Sequence, residues 1–226
     1  MLIRWFGQSA FCLRGNGVSV FIDPFGMVEG LGARGMRFDY PRIEGVSCDL
    51  LLITHEHFDH NAVEAIQGSP VMIRSTAGTF DSPTGQVVAV ASEHDQAAGT
   101  QRGPNTIFVW SQANLRVCHF GDFGQLCLRP EQVLAIGDVD LLFLPVGAGP
   151  TMDAAGALEV VRALTPRWVV PMHYRTAAVN FLEPPDAFVQ AFSSDRVHLC
   201  EGSEFDTDEI PSALAAMVVV PAVPQS

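Results

Sequence analysis

The run Thr54-His55-Glu56-His57-Phe58-Asp59-His60 gathers three of the chain's seven histidines, with Asp59, into the six residues from His55 to His60. Imidazole and carboxylate are the side chains that hold zinc, manganese and iron. His55 and His57 stand two apart, so in extended backbone they project to one side and can grip one ion together. Asp59 and His60 follow once the chain has turned, at the expected start of a helix near Asn61, and point at a second position beside the first. The run leaves directly from Asp49-Leu50-Leu51-Leu52-Ile53-Thr54. That continuous apolar stretch predicts a strand buried on both faces. A rigid strand ending in a loop is a common place for functional groups in α/β proteins.

Holding such a cluster requires a frame, and short apolar segments recur along the whole chain between Gly, Pro, Asn and Asp. Ala10–Arg14 and Val18–Ile22 flank Gly15-Asn16-Gly17, and Asn-Gly is the strongest short hairpin signal. Further strands are expected at Val71–Arg74, Val87–Ala91, Thr106–Trp110, Leu115–His119, Asp140–Val146, Trp168–Pro171 and Val197–Cys200. Helical spacing is found from Ala62 to Ile66, from Pro130 to Leu134, from Met152 to Leu164 and from Asp186 to Phe192. Strands come in groups early and alternate with helices later. This predicts an α/β chain of mixed sheets with helices outside, not one purely parallel sheet. No linker or repeat divides it. Residues 1–226 read as one domain, with 211–226 as a short cover or a mobile, fraying tail.

Composition narrows the function. The chain has 226 residues; 48% are hydrophobic and 17% charged, ample for a buried core. Thirteen basic residues face 25 acidic ones, a net charge of −12. Such a surface argues against docking on nucleic-acid backbones. It leaves small anionic substrates open, because a local metal centre can outweigh the global field. No apolar run reaches the roughly 18 residues a membrane span needs. The N-terminus lacks the basic, apolar and small-residue pattern of a secretory signal. The five cysteines (12, 48, 118, 127 and 200) are odd in number and include no Cys-x-x-Cys. Free thiols in a reducing compartment, the cytoplasm, are the expectation. Neither a Gly-x-Ser-x-Gly elbow nor a Walker-type phosphate loop is present.

His-x-His-x-Asp-His after a buried strand resembles the signature of the metallo-β-lactamase superfamily. Phe21-Ile22-Asp23-Pro24-Phe25 resembles that family's early strand ending in Asp. His119-Phe120-Gly121-Asp122 resembles its Gly-Asp motif, and Val170-Pro171-Met172-His173-Tyr174 its last ligand motif. Trp5-Phe6-Gly7-Gln8-Ser9, Leu144-Pro145-Val146-Gly147 and Thr151-Met152-Asp153 are similar to one branch, the compact cytoplasmic hydrolases that include the ascorbate-6-phosphate lactonases. The resemblance implies a four-layer αβ/βα sandwich with two divalent ions, zinc foremost, manganese or iron compatible. It implies His55, His57 and His94 at the first position, Asp59, His60 and His173 at the second, and Asp122 bridging. Asp23 would orient a ligand histidine, and His119 would line the pocket. Tyr174 and Arg175 would bind substrate, Arg175 through a phosphate or carboxylate. Phe123 departs from the branch, which usually carries Thr there; a hydroxyl near the metals would be lost. His57 departs from the Glu of the flavodiiron oxygen reductases and speaks against redox chemistry.

The implied activity is hydrolysis of a small-molecule ester, lactone or phosphoester by a hydroxide held between two metals, with Asp59 as catalytic residue carrying a proton. A phosphodiesterase or nuclease, and a non-catalytic metal-binding protein, are the other readings. The expected partner is a small molecule, with neither nucleic acid nor membrane; the oligomeric state is open.

Overall fold

Runs rich in Val, Ile, Leu and Phe and bounded by turn residues become strands because they fit a pleated surface buried on one or both faces. The computed structural model describes residues 1–26, 31–32, 35–211 and 213–225. It opens with the meander β1 (Leu2–Gly7), β2 (Ala10–Gly15) and β3 (Val18–Ile22). Gly15 pairs with Val18, leaving Asn16 and Gly17 as a two-residue turn, both at positive φ (52° and 76°). That is the geometry an Asn-Gly hairpin supplies. Then come β4 (Val46–Ser47), β5 (Leu50–Ile53), β6 (Ile66–Gln67), β7 (Val71–Arg74), β8 (Gly78–Ser82), β9 (Gly85–Glu93), β10 (Pro104–Gln112) and β11 (Leu115–His119). The remainder is α1 (Pro130–Ile136), β12 (Leu141–Pro145), α2 (Ala154–Leu164), β13 (Trp168–Met172), α3 (Asp186–Val189), β14 (Val197–Leu199), β15 (Glu204–Asp206) and β16 (Met217–Val220).

Two mixed sheets face each other, in the orders β15-β1-β2-β3-β5-β7 and β14-β16-β13-β12-β11-β10-β9-β8; β4 and β6 form a small third. Period-two alternation sorts the apolar residues. Val20, Ile22, Leu50 and Leu52 join Phe108, Trp110, Val117 and Phe143 in the core between the sheets. Phe21, Leu51 and Ile53 point the other way, into a second cluster with Phe25, Tyr40, Ile43, Val179 and Leu182. The uninterrupted apolar run of β5 follows from this: both its faces are covered. The coverings differ. Helices lie on the eight-stranded sheet, where Gln132 Nε2 of α1 donates to Ala91 O at 2.8 Å. Loops and the β4–β6 pair cover the other side.

Two local readings change. Ala62–Ile66 is not an α-helix but a single 3₁₀ turn, Val63–Ala65, running into β6. Its apolar pattern is one turn long, and Gly68 and Pro70 stop it. The C-terminal segment is neither a cover nor a frayed end. Strand β16 lies between β13 and β14, parallel to both. Ser212 and Ser226 lie outside the described residues.

The topology sends the ends of six strands to one edge. β1 and β3 run the same way, as do β3 and β5. So do β9, β11 and, through parallel pairing, β12 and β13. Gln8, Asp23, His55, His94, Asp122 and His173 each follow the C-terminal end of one of these strands, where α/β sheets place their ligands.

Candidate metal centre

Asp122 lies at the centre of this edge, 2% exposed, among four imidazoles. Its Oδ2 is 3.1 Å from His94 Nε2, 3.1 Å from His173 Nε2 and 3.9 Å from His55 Nε2. Its Oδ1 is 3.3 Å from His60 Nε2. Two triads gather around it with ligand atoms within 4.8 Å of one another: His55, His57 and His94; and Asp59, His60 and His173. His55 Nε2 and His57 Nδ1 are 3.1 Å apart, and His60 Nε2 is 3.6 Å from Asp59 Oδ2.

Outer hydrogen bonds fix which nitrogen each ring offers. Thr54 Oγ1 donates to Asp23 Oδ2 at 2.7 Å, so at 3.0 Å it can only accept from His55 Nδ1. His60 Nδ1 donates to Asp23 Oδ2 at 3.0 Å, and His94 Nδ1 to Pro150 O at 3.0 Å. In all three rings the proton sits outward and the Nε2 lone pair faces Asp122, as metal-binding histidines require. The Asp23 carboxylate also takes the Thr54 backbone N–H at 2.8 Å. It is thereby spent on orientation, although it lies within ligand range of His55 and His60.

The donor set fits divalent ions. His60 Nε2 and Asp122 Oδ1 are buried with no hydrogen-bond partner, a costly state unless something else binds them. Burial, with the neighbouring His60 ring next, pushes the His55 pKa well below its ordinary value, toward the neutral form a ligand needs. Burial alone would do the same to His60, but the nearby Asp122 and Asp59 carboxylates and the bond to Asp23 outweigh it and hold its pKa well above the ordinary value. Burial would raise Asp122; His173 and His60 together reverse that and keep it well below the usual carboxylate range.

Backbone strain collects here. Gln8, Asp23 and His173 are non-glycine residues at φ of 50°, 48° and 51°, a conformation that persists only where the surroundings hold it. Gly121 has φ 55°, and a Cβ there would collide with Asn105 Oδ1 and Thr54. Only glycine lets the Asp122 turn approach the β5 end so closely.

Several residues hold other places than the sequence suggested. His119 does not line the opening. It is fully buried, accepts from Gly121 N at 3.1 Å and donates through Nε2 to Ser9 O at 3.0 Å. It therefore braces the Asp122 turn against the β1–β2 turn. Tyr174 is buried against Trp5, ring centroids 5.5 Å apart. Arg175 turns outward, donating to Leu182 O and lying 4.0 Å from Glu183. Neither is among the residues lining the opening. The left-handed turn at His173 redirects the chain immediately after that residue. Phe123 is fully buried in the apolar core against Phe120, ring centroids 5.4 Å apart, and is not among the residues lining the opening.

Other residues emerge only in three dimensions. Gln8, fully buried, donates from Nε2 to Asp59 Oδ2 at 3.0 Å, and its carbonyl accepts from His173 N at 3.3 Å. Asn105 accepts from Asp122 N at 3.0 Å and donates to Phe120 O at 2.8 Å. Gly7-Gln8-Ser9 between two apolar strands was the available signal for the first; nothing local marks Asn105. A cavity of about 550 Å³ opens over the cluster, lined by Leu31, Met36, Phe58, Arg102, Pro150 and Phe181 beside the ligands.

A family model described as "Beta-lactamase superfamily domain" matches residues 2–173. A UPF0173 metal-dependent hydrolase of Pyrobaculum islandicum is 30% identical over 223 residues, covering 88% of this chain and 96% of that protein. A crystal structure from Thermotoga maritima, described as a candidate Zn-dependent hydrolase of the metallo-beta-lactamase superfamily, is 28% identical. It superposes with a TM-score of 0.77 over 97% of both chains. An isothiocyanate hydrolase from Delia radicum gut bacteria, 15% identical, shares the fold with a TM-score of 0.66 over 100% of this chain and 98% of that one.

Proposed function

The chain belongs to the beta-lactamase superfamily, and we propose that it is a metal-dependent hydrolase of a small-molecule ester, lactone or phosphoester, working with two divalent ions. The observation that carries this is the Asp122 carboxylate, in reach of His94 and His173 through one oxygen and of His60 through the other. One carboxylate shared by two triads is how a protein holds two cations side by side. His55, His57 and His94 would hold one and Asp59, His60 and His173 the other, with Asp122 between them. The relatives named as metal-dependent hydrolases support the same reading.

Bound divalent ions supply Lewis acidity, which makes water a nucleophile at neutral pH and polarises the bond under attack. The chain supplies the rest. Asp59, partly exposed in the cavity lining, would orient the attacking water and take its proton. Gln8 Nε2 fixes the carboxylate through Oδ2. Phe58, Pro150 and Phe181 keep the cavity apolar and strengthen every polar contact within it. The acidic net charge supports a small molecule over nucleic acid. No helix among the described residues is long and apolar enough to cross a membrane, and five unpaired thiols suit the cytoplasm.

The test is turnover of a panel of lactones, carboxylic esters and phosphomonoesters. The protein is loaded with Zn²⁺ or Mn²⁺, stripped with a chelator, and reloaded. Activity on at least one class that vanishes on stripping and returns on reloading is expected. Activity that survives stripping, or none on any class, would overturn the proposal.

A further inference from the structure

The cavity over the cluster is walled mostly by carbon: Leu31, Met36, Phe58, Pro150 and Phe181. Among the described residues one arginine interrupts that wall, Arg102. Two independent observations mark it as a built feature.

The first is how the backbone holds it. Arg102 rides on a turn that begins at His94, a member of the cluster. His94 N donates to Gly103 O at 3.1 Å and Gly103 N to Gly99 O at 2.9 Å, closing the turn at its base. Inside it, the Asp95 carboxylate accepts four backbone N–H groups: Ala97 at 2.8 Å, Gly99 at 3.0 Å, Gln101 at 3.0 Å and Arg102 at 2.7 Å. Four bonds on one carboxylate make a stiff loop, so the Arg102 backbone stays put relative to His94.

The second is what the guanidinium does not do. All 13 basic residues of this chain are arginines, against 25 acids. Arg74, Arg129 and Arg162 are ion-paired with Glu56, Glu93 and Glu159. Arg116 and Arg196 cap the carbonyls of Ile136 and Ala216. Among the described residues, Arg102 has neither an acidic side chain in ion-pair range nor a side-chain hydrogen bond. Asp95, the nearest acid in sequence, is taken up by backbone. In so acidic a chain, an exposed guanidinium at the rim of the cluster with no partner among the described residues is placed to receive an anion.

We infer that Arg102 selects the substrate, and that the substrate carries an anionic group, carboxylate or phosphate, at the end of an apolar body whose other end reaches the metal cluster. A guanidinium accepts either group bidentately, and the carbon wall suits the body between. This rests on the hydrolase reading for its turnover arm only.

The turnover arm compares two esters of matched length, p-nitrophenyl hydrogen glutarate, an anion, and neutral p-nitrophenyl pentanoate. Arg102→Gln is expected to lower the anionic-to-neutral ratio of kcat/KM by roughly 10- to 100-fold, mainly through KM. Arg102→Lys should recover part of it. Arg162→Gln makes the same charge change on α2 and should leave the ratio where it was. A ratio unmoved by Arg102→Gln, or moved as far by Arg162→Gln, overturns the inference.

The binding arm needs no turnover: calorimetry of hexanoate and hexyl phosphate on wild type and Arg102→Gln. At least one anion should bind the wild type and weaken by a similar factor in the variant, and the one that weakens more identifies the group. Equal affinities, or no binding to wild type, overturn it. If neither ester is cleaved, the ester reading fails while this arm still decides Arg102. The variant keeps the backbone bond to Asp95, and an unchanged thermal midpoint verifies its fold.

Discussion

The two triads around Asp122 are held in different ways. On the first side, His55 and His94 lean on neutral oxygens, Thr54 Oγ1 and Pro150 O, and the three members of the triad are all imidazoles. On the second, His60 leans on the buried carboxylate of Asp23, and Asp59 is itself anionic and pinned by Gln8. An ionised acceptor raises the basicity of a ligand imidazole more than a carbonyl does. With two ions held as proposed, the second position would be the more negative and the harder of the two, suited to Mn²⁺ or iron as well as zinc. The first would be a softer, imidazole-rich position that favours zinc. The contrast teaches that one carboxylate can serve two unlike positions, provided the asymmetry is built in the groups behind the ligands.

Asp23→Ala should break the contrast hardest. It strips the acceptor from His60 Nδ1, Thr54 N and Thr54 Oγ1 together. Metal affinity at the second position should drop by about 10- to 100-fold, and unfolding free energy by about 2–3 kcal/mol, read by metal titration and urea denaturation. Asp23→Asn sharpens it instead, giving His60 a neutral acceptor like that of His55 and narrowing the gap between the two affinities.

Thr54→Val should act mainly on the first side, where His55 loses its acceptor. About a 10-fold loss of affinity is expected there. Because Thr54 Oγ1 also donates to Asp23, the double variant with Asp23→Asn should be non-additive. Additive losses would mean the two sides are held independently.

Gln8→Met leaves the metals in place and frees Asp59. A fall of roughly 10-fold in kcat with KM unchanged is expected. A change in KM alone would move Gln8 from positioning Asp59 to binding substrate.

The smallest effect concerns Glu56, which sits between two ligands yet points away. Arg74 binds it at 2.8 and 2.6 Å and Ser75 at 2.7 Å. The Arg74 bonds hold its pKa down to about 2. A carboxylate depressed on folding adds stability above its unfolded pKa and loses it as pH falls toward about 2. The pair is about half exposed, so Glu56→Gln should cost no more than about 1 kcal/mol at pH 7. That difference should disappear in urea melts taken near the folded pKa.

What could be read in the sequence follows the range of the interactions. Strand β5, the Asn16-Gly17 hairpin and the His55–His60 run announce themselves locally, since apolar runs, turn chemistry and ligand spacing are properties of adjacent residues. The family's motif order brought His94, Asp122 and His173 into the same list. Asn105 and Gln8 stayed hidden because each acts across the fold, Asn105 on a turn 17 residues away and Gln8 on a carboxylate 51 residues away. Arg175 was singled out for its place beside His173, but the left-handed backbone at His173 turns it outward. The cation at the rim comes instead from a turn whose closure depends on Asp95, a residue with no motif of its own. The strand β16 escaped notice because Met-Val-Val-Val between Ala- and Pro-rich stretches reads equally as a tail.

The central claim is that Asp122 joins two metal positions, and its most direct test is elemental analysis of metal per chain, on protein purified without chelators, for wild type and Asp122→Ala. About two ions per wild-type chain, with clear loss in the variant, is the predicted result. About one ion in wild type, or a variant that keeps its full complement, would contradict the shared carboxylate. No metal, with no gain on adding Zn²⁺ or Mn²⁺, would contradict the centre altogether.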